Sequence, residues 1–413
     1  MPIAAHQAPE NSRLHGYIRE FDGLRGIAIL VVMVHHFWPR SGSLANYAAL
    51  PHLGWVGVDL FFVLSGCLIT GILLDTRTEA RFFQNFYVRR ILRIFPLYFL
   101  FVAAAYLAIP LLQANSNPGM FAQQSGPAWW YFLYLGNIRE SLTGMEPAYV
   151  LGPTWSLCIE EQFYLVFPLV VAVAAPNRLR VFLWSMVLFG LVFRTATTLA
   201  WPENERVQYL FTLSRVDTLS LGGLLALGFR GHAWLPGKTA TAVLLPAALA
   251  SCAVAFSYGG LDRTTPFGRT LGYTLVGLSA WLLVLWVAHR RGLPATAWLR
   301  MKPLVGLGVI CYGVYLLQRP AEVVLGKVLG VFAFDASNLD TLAGLWLKCT
   351  VAIVAGTASW FLIERPFLSL KRRFSSLHHP VIAEFDPVAE SAMGSASSRH
   401  TTEPNAALRS EPD

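Results

Sequence analysis

Apolar stretches of about 20 residues, the length that crosses the hydrocarbon core of a bilayer as a helix, recur along this chain through residue 366. They lie near 23–40, 54–74, 88–111, 153–175, 180–200, 211–229, 240–258, 269–288, 304–326 and 342–363. Only 14% of the 413 residues are charged, where a soluble domain carries about 25%, and the mean hydropathy is +0.49. The sequence therefore predicts an all-α membrane protein, a polytopic bundle of about ten transmembrane helices.

Loop charge sets the expected orientation, because cytoplasmic loops retain lysine and arginine. Eighteen of these residues fall in one set of alternate connections and six in the other, which places both termini in the cytoplasm of a multi-pass protein of the cell membrane, the bacterial inner membrane. The first apolar run is abutted by Asp22 and interrupted by His35 and His36, unlike the clean core of a cleavable signal peptide, so it is read as a retained span. Residues 112–150 form the longest outer connection, with "NSNPG" and the aromatic stretch "WWYFLYLG" (129–136), too short to span and suited to the membrane interface. After Phe374 the composition turns to Ser, His, Ala, Glu and Pro, the signature of a disordered tail. The expected organisation is a cytoplasmic segment 1–18, a membrane domain 19–367 and a cytoplasmic tail 368–413.

The net charge of +8 comes without a basic cluster interleaved with aromatics, so no nucleic-acid partner is expected. Cys67, Cys158, Cys252, Cys311 and Cys349 are scattered through apolar stretches with no zinc-type spacing, so they read as small buried hydrophobes and no metal site is expected.

Charges inside the spans carry the functional signal, since ionisable side chains there are costly and usually line a pathway or a site. In "FDGLRGIAILVVMVHHFWPR" (21–40), eleven residues separate Arg25 from His36. At 100° and 1.5 Å per residue both project from one helix face about 16.5 Å apart, whereas His35 points about 80° away from Arg25. A neutral imidazole near the midplane can take a proton from a hydroxyl; the alternative is a histidine merely hydrogen-bonded between helices. In "QNFYVRRILRIFPLYF" (84–99), Arg90 and Arg93 share a face with Arg89 beside them. They could be a positive-inside anchor, or a set of guanidinium forks for phosphate. In "GPTWSLCIEEQFYLVFP" (152–168), Glu160 and Glu161 lie near mid-depth, either in a structural ion pair or supporting His36. Asp59 in "GWVGVDLFFVLSGCLITGILL" (54–74), beside glycines that permit close helix approach, is read either as packing or as part of the site. Arg215 and Asp217 in "SRVDTLSLGGLLA" are expected to pair with each other.

In order along residues 19 to about 367, the segments "FDGLRGIAIL", "GVDLFFVLSG", "FYVRRILRIFPLY", "TWSLCIEEQFYLVFP", "SRVDTLSLGGLLA", "CYGVYLLQRP" and "FLIERP" together resemble the acyltransferase 3 family of integral membrane acyltransferases. Members usually carry histidine where Gln318 stands, and serine is commoner at Cys158 and Cys311. The resemblance implies transfer of an acyl group, most often acetyl from cytoplasmic acetyl-CoA, to a hydroxyl of a carbohydrate or glycolipid. No bound cofactor is implied; acyl-CoA is the donor substrate. On this reading Arg25, Arg89, Arg90 and Arg93 hold the CoA phosphates, His36 is the general base, Glu160 or Glu161 supports it, and Asp59 contributes to substrate binding. Some relatives carry a soluble esterase-like domain; none is evident in this sequence, so direct modification is the simpler expectation and transfer to a separate extracytoplasmic protein the other. A glycolipid or polysaccharide-precursor transporter, with midplane charges forming a path instead of a reaction centre, is the competing class; no internal repeat supports it.

Overall fold

The computed structural model describes residues 17–41, 43–47, 49–107, 123–332 and 339–370, and all regular structure within them is helical. Most of the expected segment 1–18 and tail 368–413, together with "NSNPG", lies outside the described residues. The principal helices are α1 (Arg19–Phe37), α2 (Val56–Thr76), α3 (Phe82–Leu107), α4 (Gly136–Thr143), α5 (Thr154–Val173), α6 (Pro176–Ala200), α7 (Glu205–Leu210), α8 (Val216–Phe229), α9 (Lys238–Ser257), α10 (Tyr273–His289), α11 (Lys302–Val309), α12 (Cys311–Val331) and α13 (Leu342–Ser359).

Each of the ten apolar stretches carries helix within its described residues, and seven helices among the described residues are long and apolar enough to cross a membrane. The pair α11 and α12, bent by 74° at Ile310, makes an eighth if it forms one span. The two remaining are α1, whose first turns carry Arg19, Glu20, Asp22 and Arg25, and the 14-residue α8. The chain is thus an all-helical, multi-pass membrane protein. α9 shows the solvent it was built for: it is apolar all round, yet only Thr241 and Leu245 are buried. Such a helix is compatible with lipid and not with water.

The centre of the bundle is α2 packed against α8, with α1 and α10 beside them. Lipid offers no hydrophobic drive for helices to associate, so close approach through small residues supplies the packing contacts. Gly66 and Gly222 provide it: a Cβ on Gly66 would collide with the Leu219 carbonyl, and one on Gly222 would lie 2.7 Å from the Cys67 amide nitrogen.

Charges at this centre are paired across helices. Arg215, just ahead of α8, donates to Asp59 of α2 at 2.5 Å, and both side chains are fully buried. Arg194 of α6 donates to Asp217 at 2.7 Å and to Thr274 at 2.7 Å. Arg215 also lies 4.9 Å from the Tyr273 ring centre, a cation–π contact strengthened by the absence of water. The expected Arg215–Asp217 pair is therefore corrected: two positions apart they do not share a helix face, and each finds an opposite charge on a neighbouring helix.

Removing one member of a buried pair strands the other charge. Asp59→Leu should cost about 3–5 kcal/mol of stability, and the double variant Asp59→Leu/Arg215→Leu should recover part of that loss. Equilibrium unfolding in detergent micelles measures both; a single variant as stable as the parent would contradict the assignment.

Candidate active site

Two cavities lie within the bundle, one small and mostly apolar, the other larger and more polar. The first is narrow, about 110 Å³. Arg25, Arg90 and Arg93 line one end, Ser65, Glu160 and Tyr164 its flank, and Ser156 and Tyr315 contribute to its wall, with apolar side chains of α2 between. The α2 lining runs from Val58 to Ile69, eleven residues or about 16.5 Å at the helical rise. Glu160 sits against the hydroxyls of Ser65 and Tyr164 and within electrostatic range of Arg90 and Arg25. The Arg90 guanidinium lies 5.6 Å from the Tyr164 ring centre, and Arg25 donates to Asp22 at 2.6 Å.

The second cavity, about 770 Å³, is polar and aromatic. His35, His36, Arg263, Arg319 and Glu140 line it together with Trp155, Tyr149 and Tyr209. Glu140, on α4 and outside the spans, is 2% exposed, and its Oε1 has no hydrogen-bond partner. Burial pushes its carboxyl up to about 8, so at neutral pH it is mostly protonated and can donate a hydrogen bond.

Consecutive residues of α5 face the two sides: Trp155 lines the wide cavity and Ser156 the narrow one. The Ser156 hydroxyl is hydrogen-bonded to the Tyr315 hydroxyl at 2.8 Å. One turn further along α12, the Gln318 amide nitrogen donates to the Tyr315 carbonyl at 2.8 Å. That bond fixes the amide and leaves Oε1 toward His36 Nδ1, 3.0 Å away. Because Oε1 can only accept, Nδ1 carries a proton, and in the neutral ring Nε2 then keeps the lone pair.

The structure thus brings Arg25, Arg90, Arg93 and Glu160 together in the narrow cavity and places His36 on the wide one. Their link is the partition at Ser156, Tyr315 and Gln318. Three of the expected site residues fall elsewhere. Arg89 does not line either cavity, and its Nε is buried without a partner. Glu161, with a buried unpartnered Oε1, lies within electrostatic range of Arg90, Tyr134 and Tyr312. Asp59 accepts from Arg215 through Oδ1, its side chain is fully buried, and it lines neither cavity. Among the described hydrogen bonds the partner of His36 is Gln318, and neither glutamate takes that place. Sequence reasoning left Gln318, Ser156 and Tyr315 unassigned. The one signal available was spacing, since Tyr315 and Gln318 stand three apart on α12, on one helix face.

The acyltransferase domain model of protein families matches residues 18–365, which includes every residue of both cavities. The chain is similar to YrhL of Bacillus subtilis, 28% identical over 386 residues, covering 87% of this chain and 57% of that protein. It is also similar to the peptidoglycan O-acetyltransferase OatA of Listeria monocytogenes, 26% identical over 379 residues, covering 85% and 56% of the two chains. The O-acetyltransferase OatA of Staphylococcus aureus is 29% identical over 330 residues, covering 74% and 50%. The chain spans about half the length of the curated relatives it matches. No solved structure matches it. A membrane bundle whose motifs, cavities and charged residues all fall inside one matched region is a member of the family that region defines: the chain belongs to the acyltransferase 3 family.

Proposed function

We propose that the protein transfers an acetyl group from acetyl-CoA, entering at the Arg25 end, to a hydroxyl of a carbohydrate held in the wide cavity, with His36 as general base. The observation that carries this reading is the partition: a narrow basic-mouthed cavity and a wide polar one approach each other at Ser156 and Tyr315, beside a histidine whose tautomer is fixed. The bias of lysine and arginine among the loops makes the Arg25 end cytoplasmic, where CoA thioesters are available. The relatives named as O-acetyltransferases, two of them for peptidoglycan, favour acetyl as the group and a cell-envelope glycan as the acceptor.

Each compartment suits its reactant. The narrow cavity is long and thin enough for an extended thioester arm and excludes the nucleotide, whose phosphates remain with Arg25, Arg90 and Arg93 at the mouth; guanidinium forks match phosphate oxygens. The wide cavity supplies flat aromatic faces and hydrogen-bonding groups, the combination that orients a sugar. His36 Nε2 takes the proton of the acceptor hydroxyl while its oxygen bonds to the thioester carbonyl carbon. The tetrahedral adduct places negative charge on the carbonyl oxygen, where the hydroxyls of Ser156 and Tyr315 serve as donors. Collapse breaks the carbon–sulfur bond, and the leaving thiolate recovers the proton from the imidazolium. The products are the acetyl ester and free CoA.

In this scheme Gln318 is a positioning residue. It holds Nδ1–H and so reserves Nε2 for the acceptor, the service a carboxylate or carbonyl renders to many functional histidines. Glu160 offsets the positive charge at the narrow cavity and keeps Arg90 and Arg25 in place.

Three outcomes follow for the chain reconstituted in nanodiscs with labelled acetyl-CoA and cell-envelope glycans. His36→Ala should lower acetyl transfer by about 10²–10⁴-fold while acetyl-CoA still binds; transfer at the parent rate would remove the base assignment. Gln318→Leu should slow turnover by about 10–100-fold, the usual cost of losing an orienting partner, and an unchanged kcat would show that the tautomer needs no holding. Arg93→Gln should raise KM for acetyl-CoA and leave kcat near the parent value, the pattern of lost ground-state binding; the reverse split would move Arg93 from binding to chemistry.

A further inference from the structure

The wide cavity has a lobe that carbohydrate binding alone does not require. Around His36 stand two more imidazoles, with His35 and His36 ring centres 5.4 Å apart and His35 and His52 ring centres 6.1 Å apart. Arg40, Arg263 and Arg319 line the same cavity. Arg319 and Arg40 act electrostatically on His36, and Arg263 and Arg319 on His35. None of these three arginines forms an ion pair among the described residues. Arg263 rests 4.7 Å from the Tyr209 ring centre, and Arg319 lies 4.5 Å from the Tyr149 ring centre with its Nε buried and unpartnered.

Glu140, Glu146 and Glu205 line the same cavity, and several of the carboxylates in and around it already have partners. Glu146 pairs with Arg206, Glu322 with Lys348, and Asp340 accepts the backbone amides of Arg40 and Ser41. Glu205 acts on Arg263 from a distance. Glu140 has Arg206 and Arg139 as its strongest charged neighbours, and its raised carboxyl pKa leaves it little negative charge at neutral pH. A neutral sugar would leave three guanidinium groups beside the reaction centre with Glu205 acting on Arg263 as the main opposing charge, and holding them there costs free energy through mutual repulsion.

We infer that the acceptor is an acidic carbohydrate, one whose carboxylate or phosphate is seated by Arg40, Arg263 and Arg319 while its hydroxyl faces His36. This rests on the proposed transferase reading and adds to it the class of acceptor. The Arg263 and Arg319 side chains already lie against aromatic rings, so they are held in place before the anion arrives and forfeit little side-chain freedom on binding it.

The test is direct binding to the full chain in nanodiscs, which needs no turnover. A tetrasaccharide containing glucuronate is compared with its carboxyl-reduced form, identical except that each carboxylate is an alcohol, and an oligosaccharide carrying one phosphate is compared with its dephosphorylated form. At least one acid should bind about tenfold or more tightly than its neutral match, as charge-assisted forks allow, and raised salt should erode the preference. Arg40→Gln/Arg263→Gln should collapse the ratio; Arg40→Gln alone, at an exposed position, should reduce it without threatening the fold. Equal binding of acidic and neutral sugars, or a preference untouched by both variants, overturns the inference. Acetyl transfer to the same sugars is scored in parallel: transfer without acid preference overturns this inference alone, whereas acid preference without transfer to any sugar overturns the transferase reading and leaves the anion site standing.

Discussion

The buried pair of Asp59 and Arg215 is the interaction on which the centre of this molecule depends. It joins α2 to the residue that starts α8, at the place where Gly66 and Gly222 already bring the two backbones into contact. Neither side chain touches solvent, so each charge is affordable only while the other is present. Arg215 also lies 5.8 Å from the Phe62 ring centre and 5.7 Å from that of Tyr209. Phe62 lines the narrow cavity and Tyr209 the wide one. The pair therefore supports both compartments from behind, with no part in either.

Several charges outside that packed centre face a cavity, whereas Arg89 and Glu161 line neither of the two. Arg194, Asp217, Arg215 and Asp59 satisfy one another in the packed centre. Arg25, Arg90, Arg93 and Glu160 surround a space, and so do His36, Arg263 and Arg319. In the proposed mechanism the two spaces hold the two substrates, and the wall between them is thin because Trp155 and Ser156 are neighbours in sequence while Tyr315 and Gln318 are one turn apart. In that mechanism the same turns of α5 and α12 present hydroxyls to the donor and the amide that holds the α1 imidazole toward the acceptor.

Much of this was legible in the sequence. Helices form where 20-residue apolar stretches occur, because lipid leaves the backbone no other partner. The eleven-residue interval from Arg25 to His36 put both on one face of α1, and they now line the two successive cavities. The basic pair Arg90 and Arg93 was equally readable from its spacing of three. What could not be read was which neighbour each charge meets. Glu160 and Glu161 differ by 100° around α5, and only packing against α2 and α3 decides that Glu160 takes the narrow cavity. Asp59 looked like a site residue because a lone carboxylate in a span is costly; its partner lies 156 positions away, beyond any local pattern. Gln318 was passed over because it departs from the residue commonly found there, although an amide accepts the Nδ1 proton as well as many other groups would.

The central claim is that donor and acceptor enter separate cavities and meet at the Ser156–Tyr315 partition. An electron cryomicroscopy map of the chain with a non-hydrolysable acetyl-CoA analogue tests it most directly. The account predicts phosphates at Arg25, Arg90 and Arg93, the pantetheine arm threaded between α2 and α5, and the acetyl carbon at the partition, open to an acceptor oxygen at about 3–3.5 Å on the His36 side. An analogue whose acetyl group lies in the wide cavity away from Ser156 and Tyr315, or that leaves the narrow cavity empty, would contradict it.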